Sequence, residues 1–208
     1  LGEALADVAL PDGTIVRSCE DPMQPDSGIA VLQGNLAPDG CIVKTADISQ
    51  RTFEGPARVF EGDAEARKGI ADGKFSAGDV IIVRGEGPRG SPGMREMLDV
   101  PIPIRQRGMG KEVALVTDGR WPAGTGGLCV AHVSPEAHGG GPIALVHNGD
   151  IVRIDAEKGT IDFQVSEKEI ARRRAVLKPS IYWSGGVGEK YARSVGPTHL
   201  GAPTHSYR

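Results

Sequence analysis

The chain has 208 residues, 39% of them hydrophobic and 25% charged, with a formal net charge of −3; that length suits one compact domain, and that balance excludes a disordered tail or a strongly basic nucleic-acid binder. Thirty glycines and fifteen prolines against 4% aromatics predict many tight turns and short strands rather than long helices. No apolar run approaches the roughly 18 to 20 residues of a membrane span and no signal-type core opens the chain, so no membrane partner is expected and the expected setting is the cytoplasm, or an organelle in a eukaryote.

LGEALADV (1–8) carries apolar residues at helical spacing and Pro11-Asp12-Gly13 stops it, which predicts a short opening helix. Strands are predicted at TIVRS (14–18), GIAVLQGNL (28–36), CIVKTA (41–46) and ARVF (57–60), each rich in Val or Ile and bounded by turn formers. Asp63 is expected to cap a helix through EARKGIADG, with Gly73 as its left-handed end. DVIIVRG (79–85) reads as a buried strand, GEGPRGSPG as a loop, MREML as one or two helical turns and EVALVTD as a second buried strand.

After LCVAHV and the loop SPEAHGGG, a three-strand meander is expected from PIALVH, DIVRIDA and TIDFQV, joined at Asn148-Gly149 and Glu157-Lys158-Gly159. Ser166 and Glu169 form an S-x-x-E capping box before EIARRRAVL, which Pro179 closes. The sum, roughly nine strands with three or four short helices, is a β-rich α/β fold: a barrel or mixed sheet flanked by helices. The expected organisation is a barrel-like domain over 1–178 and an irregular tail, 179–208, packed on it.

Several residue groups invite a chemical reading. Gly85-Glu86-Gly87-Pro88-Arg89-Gly90 fits G-x-G-x-x-G, but Pro88 and Pro92 remove amide donors that a dinucleotide site needs. Glu96, just after that loop, is either a hard oxygen ligand for a divalent cation or a helix-surface glutamate. Arg120 either grips a substrate carboxylate with its planar fork or ties the loop 117–127 to a neighbouring acid. His132, His138 and His147 lack the short regular spacing of a zinc site, and Arg172-Arg173-Arg174 beside acids reads as a solvated helix face rather than a nucleic-acid patch. Cys19, Cys41 and Cys129 fit neither a disulfide framework nor a self-contained metal site, and the missing initiator methionine is consistent with a fragment of something longer.

Taken as a set, GNLAPDG (34–40), GPRGSPGMREML (87–98), VALVTDGR (113–120), HVSPEAHGGGPIALV (132–146) and KYARSV (190–195) resemble the C-terminal domain of the dihydroxy-acid dehydratase and phosphogluconate dehydratase family over nearly the whole chain. PGMREML is closer to the dihydroxy-acid and sugar-acid branch. The resemblance implies loss of water from a 2,3-dihydroxy carboxylic acid to give a 2-keto acid, as in branched-chain amino-acid biosynthesis, with an iron-sulfur cluster and Mg²⁺. It implies a swivelling β/β/α barrel that closes over cofactors held by the enzyme's own N-terminal domain, which is absent here, and assembly as a homodimer or larger. An isolated domain of this kind is expected to be inactive.

The family's P-G-M-x-E-M glutamate, an Mg²⁺ ligand, falls on Glu96. Its D-G-R-F-S-G-G-T serine, whose oxygen takes the C2 proton while iron draws off the C3 hydroxyl, falls on Pro122, which has no hydroxyl; Thr125 in the same loop is a possible substitute. Arg120 and Gly124 are the expected substrate-binding residues. A second departure replaces S-P-T-S with Asp99-Val100-Pro101-Ile102. The departures leave open a dehydratase of this class, a sugar-acid dehydratase with an altered substrate loop, and a catalytically silent paralogue. Each of the first two requires the Glu96 side chain to reach solvent on the face where 117–127 emerges.

Overall fold

Short Val- and Ile-rich runs between glycines form the strands of a single sheet. The computed structural model describes residues 2–3, 6–9, 12–23, 28–46, 48–122, 126–178 and 183–205. Among them are β1 (Ile29–Leu32), β2 (Cys41–Lys44), β3 (Thr52–Glu61), β4 (Val80–Arg84), β5 (Ala114–Thr117), β6 (Cys129–Ala131), β7 (Ile151–Asp155) and β8 (Thr160–Phe163). Their order is β1-β2-β6-β5-β4-β3-β7-β8. The central β3, β4, β5 and β6 run parallel, and every other neighbouring pair is antiparallel.

The two ends of this sheet nearly meet. Gln33, one residue past β1, bridges Thr160 at the start of β8, its N–H donating to the Gly159 carbonyl at 2.9 Å while its own carbonyl accepts from Ile161 N–H at 3.1 Å. Gly34 follows because a Cβ there would overlap the Ile161 carbonyl. Closing the sheet removes exposed edges and encloses a core.

That closure explains why β4 and β5 are apolar on both faces. Val80, Ile82, Ala114 and Val116 point into the barrel with Leu36, Ile154 and Phe163. Ile81, Val83 and Leu115 point outward, where Ile70 of α1 (Gly62–Ala71) and Ile104 of α2 (Pro101–Gln106) cover them. The parallel step from β3 to β4 requires a crossover, and α1 supplies it. The expected β-rich α/β, barrel-like architecture with flanking short helices is the one observed.

Local differences have local causes. TIVRS is not a strand: 14–16 are bends and 17–18 irregular, all exposed, with Ile15 92% accessible, and among the described residues no strand pairs with it. Residues 94–98 form no helix; Met94 has φ of 50°, and Glu96 pairs with Arg120 as an isolated bridge. The helix of that region comes later, as α2, with Pro101 in its first turn where a missing N–H costs nothing. PIAL (Pro142–Leu145) is a buried 3-10 turn, since a fully apolar run does not distinguish strand from buried turn, so the expected meander reduces to the hairpin of β7 and β8, and the other neighbour of β7 is the distant β3.

Glu61 rather than Asp63 precedes the first residue of α1, which leaves Asp63 inside the first turn. The tail is less irregular than expected, because α4 spans Gly186–Ser194. Residues 1, 4 and 5 of the expected opening helix, and Pro179, lie outside the described residues. No helix among the described residues is long and apolar enough to cross a membrane.

Ser166 caps α3 (Glu167–Val176) as predicted, its hydroxyl accepting from Glu169 N–H at 3.3 Å, but the Glu169 carboxylate turns to Arg172 and Arg173 instead of back to the cap. Arg173 is not part of a solvated face. Its side chain is 10% accessible and ties α3 to the barrel by donating to Asp150 and, at 2.8 Å, to the Leu145 carbonyl. Arg173→Ala strips Asp150 and that carbonyl of one shared donor, and is expected to lower stability by about 2 kcal/mol, read as a lower urea midpoint at unchanged slope.

Candidate active site

Three loops leave the same end of the parallel strands, and Asp118, immediately after β5, holds them together. Its buried carboxylate accepts N–H donors from Gly85 at 3.0 Å, Glu86 at 2.9 Å and Ala137 at 2.8 Å. Burial pushes this carboxyl above its ordinary range, the three amides oppose that, and nearby Glu86 adds to it. Glu136 acts similarly on the glycine-rich loop. It accepts from Arg89 and Gly90 N–H at 3.1 Å each, and it packs where a Cβ on Gly87 would stand. The amides of Gly85, Glu86, Arg89 and Gly90 are therefore taken by two carboxylates, and Pro88 has none to give, which argues against the dinucleotide reading.

The loop after β5 is anchored by Trp121, 4% accessible, whose indole N–H donates to the Val130 carbonyl at 3.0 Å. Pro122 is buried beside it, and its carbonyl accepts from Lys44 Nζ at 3.2 Å. The Arg120 carbonyl accepts from Met97 N–H at 3.4 Å, and Arg120 Nε donates to the Met94 carbonyl at 2.9 Å. This lattice of backbone contacts sets Glu96 alongside Arg120. The Glu96 side chain is exposed, and among the described residues no hydrogen bond or ion pair engages its carboxylate. Glu96, Arg120, Trp121, Lys44 and His132 line one pocket of about 190 Å³.

Backbone strain gathers here. Of the described residues other than glycine, three have positive φ, and two of them serve this pocket: Met94 at 50° gives its carbonyl to Arg120, and His132 at 58° lines the wall. Such conformations persist only where neighbours over-determine them. His132 N–H donates to the Gly119 carbonyl at 3.0 Å and Val133 N–H to Thr117 at 3.1 Å. Burial, then the Arg120 charge, holds the His132 imidazole below its usual pKa, so it faces the pocket neutral.

Of the residues singled out from sequence, Glu96, Arg120 and Pro122 come together. Gly124 and Thr125 lie outside the described residues. Among the described residues Arg120 does not tie the loop to an acid; it spends Nε on a carbonyl, and no hydrogen bond or ion pair there engages its two terminal nitrogens. Lys44, His132, Asp118 and Glu136 were not legible as site residues. Lys44 ends a strand whose alternation gives no hint of function, and the two carboxylates act through backbone contacts to residues 19 to 47 positions away.

A divalent cation fits Glu96 as one accessible oxygen donor, and no group of three or more His, Cys, Asp or Glu among the described residues could complete its sphere. The cysteines do not fit an iron-sulfur cluster. Cys19 is exposed at a distance in sequence, Cys129 is buried in the outer core, and burial pushes the Cys41 thiol up to about 12, far from the thiolate a cluster needs.

Fold and pocket together define a class: a β-rich, barrel-like α/β domain whose loop face offers a free carboxylate beside an arginine. Residues 14–202 match the family described as Dihydroxy-acid/6-phosphogluconate dehydratase C-terminal, and the chain belongs to that family. It is 49% identical over 207 residues to dihydroxy-acid dehydratase 2 of Bordetella bronchiseptica, covering 99% of this chain and 36% of that protein. It is 46% identical over 205 residues to dihydroxy-acid dehydratase 1 of Nocardia farcinica, covering 97% and 36%. With dihydroxy-acid dehydratase 3 of Bradyrhizobium diazoefficiens the identity is 47% over 206 residues, covering 99% and 35%. The chain thus spans little more than a third of the length of the curated relatives it matches.

Glu136 makes the pH dependence of this loop face testable. Burial, opposed by the Gly90 amide and reinforced by Asp118, raises its carboxyl from 4.5 to about 7. Between those values the folded state holds a proton that the unfolded chain has released, so this contribution to stability is full below about pH 4.5 and is lost as pH rises through about 7. Glu136→Gln keeps a carbonyl acceptor without the charge. Its urea midpoint relative to the parent protein is expected to be higher at pH 8 than at pH 5.

Proposed function

We propose that this chain is the C-terminal domain of a hydro-lyase that dehydrates a 2,3-dihydroxy carboxylic acid to a 2-keto acid. The rest of such an enzyme, an N-terminal domain of the same polypeptide, would supply an iron-sulfur cluster and the remaining Mg²⁺ ligands. Support comes from the family membership together with one observation: Glu96 is an accessible carboxylate with no protein partner among the described residues, fixed by backbone pairing beside Arg120.

In this reading Glu96 would give one oxygen to Mg²⁺, and the ion would supply positive charge to the site. Arg120, which lines the same pocket, would offer its two terminal nitrogens to the substrate carboxylate, a planar match for a planar group. Lys44 adds a second cation at the same wall, and neutral His132 adds a ring able to donate or accept a hydrogen bond. Trp121 shuts one side of the pocket to water. The C2 proton and the C3 hydroxide leave as water, and the enol left behind becomes the 2-keto acid, so the atoms balance without an added reductant.

Pro122 cannot take the proton. The hydroxyl best placed by sequence to replace it is that of Thr125, four residues past a buried anchor in the same loop. Thr125→Val in the full polypeptide is expected to lower kcat by about 10² to 10⁴; unchanged turnover would reassign the proton to another group.

The decisive assay uses the full polypeptide carrying this chain, with cluster intact and Mg²⁺ present, against a series of 2,3-dihydroxy acids of different length, with 2-keto acid as the readout. Turnover of at least one is expected, and Glu96→Gln is expected to cut kcat/KM on the order of 100-fold. Absence of product from every acid ends the proposal. The 208-residue chain alone is expected to give none.

A further inference from the structure

We infer that Arg95, anchored on the buried carboxylates of Asp63 and Glu86, is a positioning residue that fixes the direction in which Glu96 presents its carboxylate to a divalent cation. The inference rests on the reading of Glu96 as a ligand.

Neighbouring side chains in extended backbone point to opposite sides. Residues 95 and 96 do so here: Glu96 lines the pocket of Arg120 and Lys44, whereas Arg95 lines a separate one of about 480 Å³ with Asp63, Glu86 and Trp183. Anchoring the Arg95 side chain therefore restrains the backbone from which the Glu96 side chain leaves on the other side. Arg95 donates to Asp63 Oδ2 at 3.2 Å, and its Nε stands 3.9 Å from Glu86 Oε2.

The anchor is stiff. The Asp63 and Glu86 side chains are 9% and 7% accessible, and Glu86 Oε1 accepts from Asp63 N–H at 2.7 Å in the first turn of α1. Asp63 Oδ1 and Glu86 Oε2 are buried without a hydrogen-bond donor, so both carboxylates depend on nearby cations for their charge. Those cations are Arg95 and Arg67, whose Nε lies 3.3 Å from Asp63 and whose NH1 lies 3.4 Å from Asp99.

The stretch 94–99 is thus tied at four places: Met94 and Met97 by Arg120, Arg95 by Asp63 and Glu86, and Asp99 by Arg67. Glu96, between them, is held at its backbone and free at its tip. The strained φ of 50° at Met94 marks where this stretch would relax if the tethers were cut.

Charge and position give opposite signs for one substitution, and that makes the test clean. Arg95→Ala removes a positive charge next to the cation, which by Coulomb's law alone tightens binding; if Arg95 aims Glu96, the same change loosens it. The probe is Mn²⁺ bound to the full polypeptide, titrated by the electron paramagnetic resonance signal of the free ion, with no turnover required. Arg95→Ala is expected to weaken Mn²⁺ about tenfold, and Arg95→Lys, which keeps the charge and loses the fork, about threefold.

Because Asp63 and Glu86 are buried and rely on Arg95 for part of their charge balance, Arg95→Ala is expected to lower the melting temperature as well. Mn²⁺ is therefore titrated at a temperature where parent and variants are fully folded, and Arg95→Lys, which keeps the charge, separates the loss of aim from the loss of stability. Combining Arg95→Ala with Asp63→Asn should weaken binding no further than the worse single change, as coupled partners do. Unchanged or tighter Mn²⁺ binding by Arg95→Ala, with Glu96→Gln still losing on the order of 100-fold, overturns the positioning role alone. Mn²⁺ binding unaffected by Glu96→Gln overturns the ligand reading of Glu96 and this inference with it.

Discussion

The buried carboxylate of Asp118 is the constraint on which the loop face depends. Burying a charge is costly unless hydrogen bonds replace the water it loses, and Asp118 replaces that water with amides from 85–86 and 137, drawn from two other loops. The trade is reciprocal. Amides on tight glycine turns have no strand to donate to, and a carboxylate is the strongest acceptor available to them. Because Asp118 follows β5 directly, the three loops are referred to the most deeply buried part of the sheet rather than to one another.

That reference frame is rigid for reasons lying below it. β4 and β5 are covered on both faces, by the barrel core within and by α1 and α2 without, so neither strand can shift without opening two cores at once. Trp121 and Leu115 carry the outer core up to the loop, and the indole bond to Val130 stops the chain from peeling away. Met94 and His132 are left with backbone conformations that most side chains avoid. Each is held by hydrogen bonds into neighbouring loops, so the strain is supported by the same lattice that orders the pocket.

The parts of this arrangement that sequence revealed are those governed by local pattern. Two-sided burial was legible in VIIVR and ALV, the left-handed ends in Gly73 and Gly149, and the cap in Ser166. Pattern misled where tertiary partners decide. TIVRS has strand composition but no neighbour, PIAL has strand apolarity but a proline-set turn, and MREML has helix formers but a backbone bridge to Arg120. At the site, Glu96, Arg120 and Pro122 were found because they sit in motifs with a family precedent. Lys44 and His132 were not, because their relevance arises only when β2 and β6 lie side by side.

The acids of this face differ in one instructive way. Asp118 and Glu136 accept from amides, Glu86 accepts through one oxygen from the first turn of α1, and Asp63 is paired through one oxygen with two arginines. Glu96 has none of these, although Arg120 is its partner in the backbone bridge and Lys44 shares its pocket. A loop under selection only for stability would pair Glu96 with Arg120; instead the arginine turns to the Met94 carbonyl and the lysine to that of Pro122. Opposite charges brought to adjacent positions and kept apart make physical sense when a third charge comes between them, and in the proposed function a cation and an anionic substrate would supply one for each side. On that proposal the pocket is one wall of a site, with its charges arranged for occupants rather than for each other.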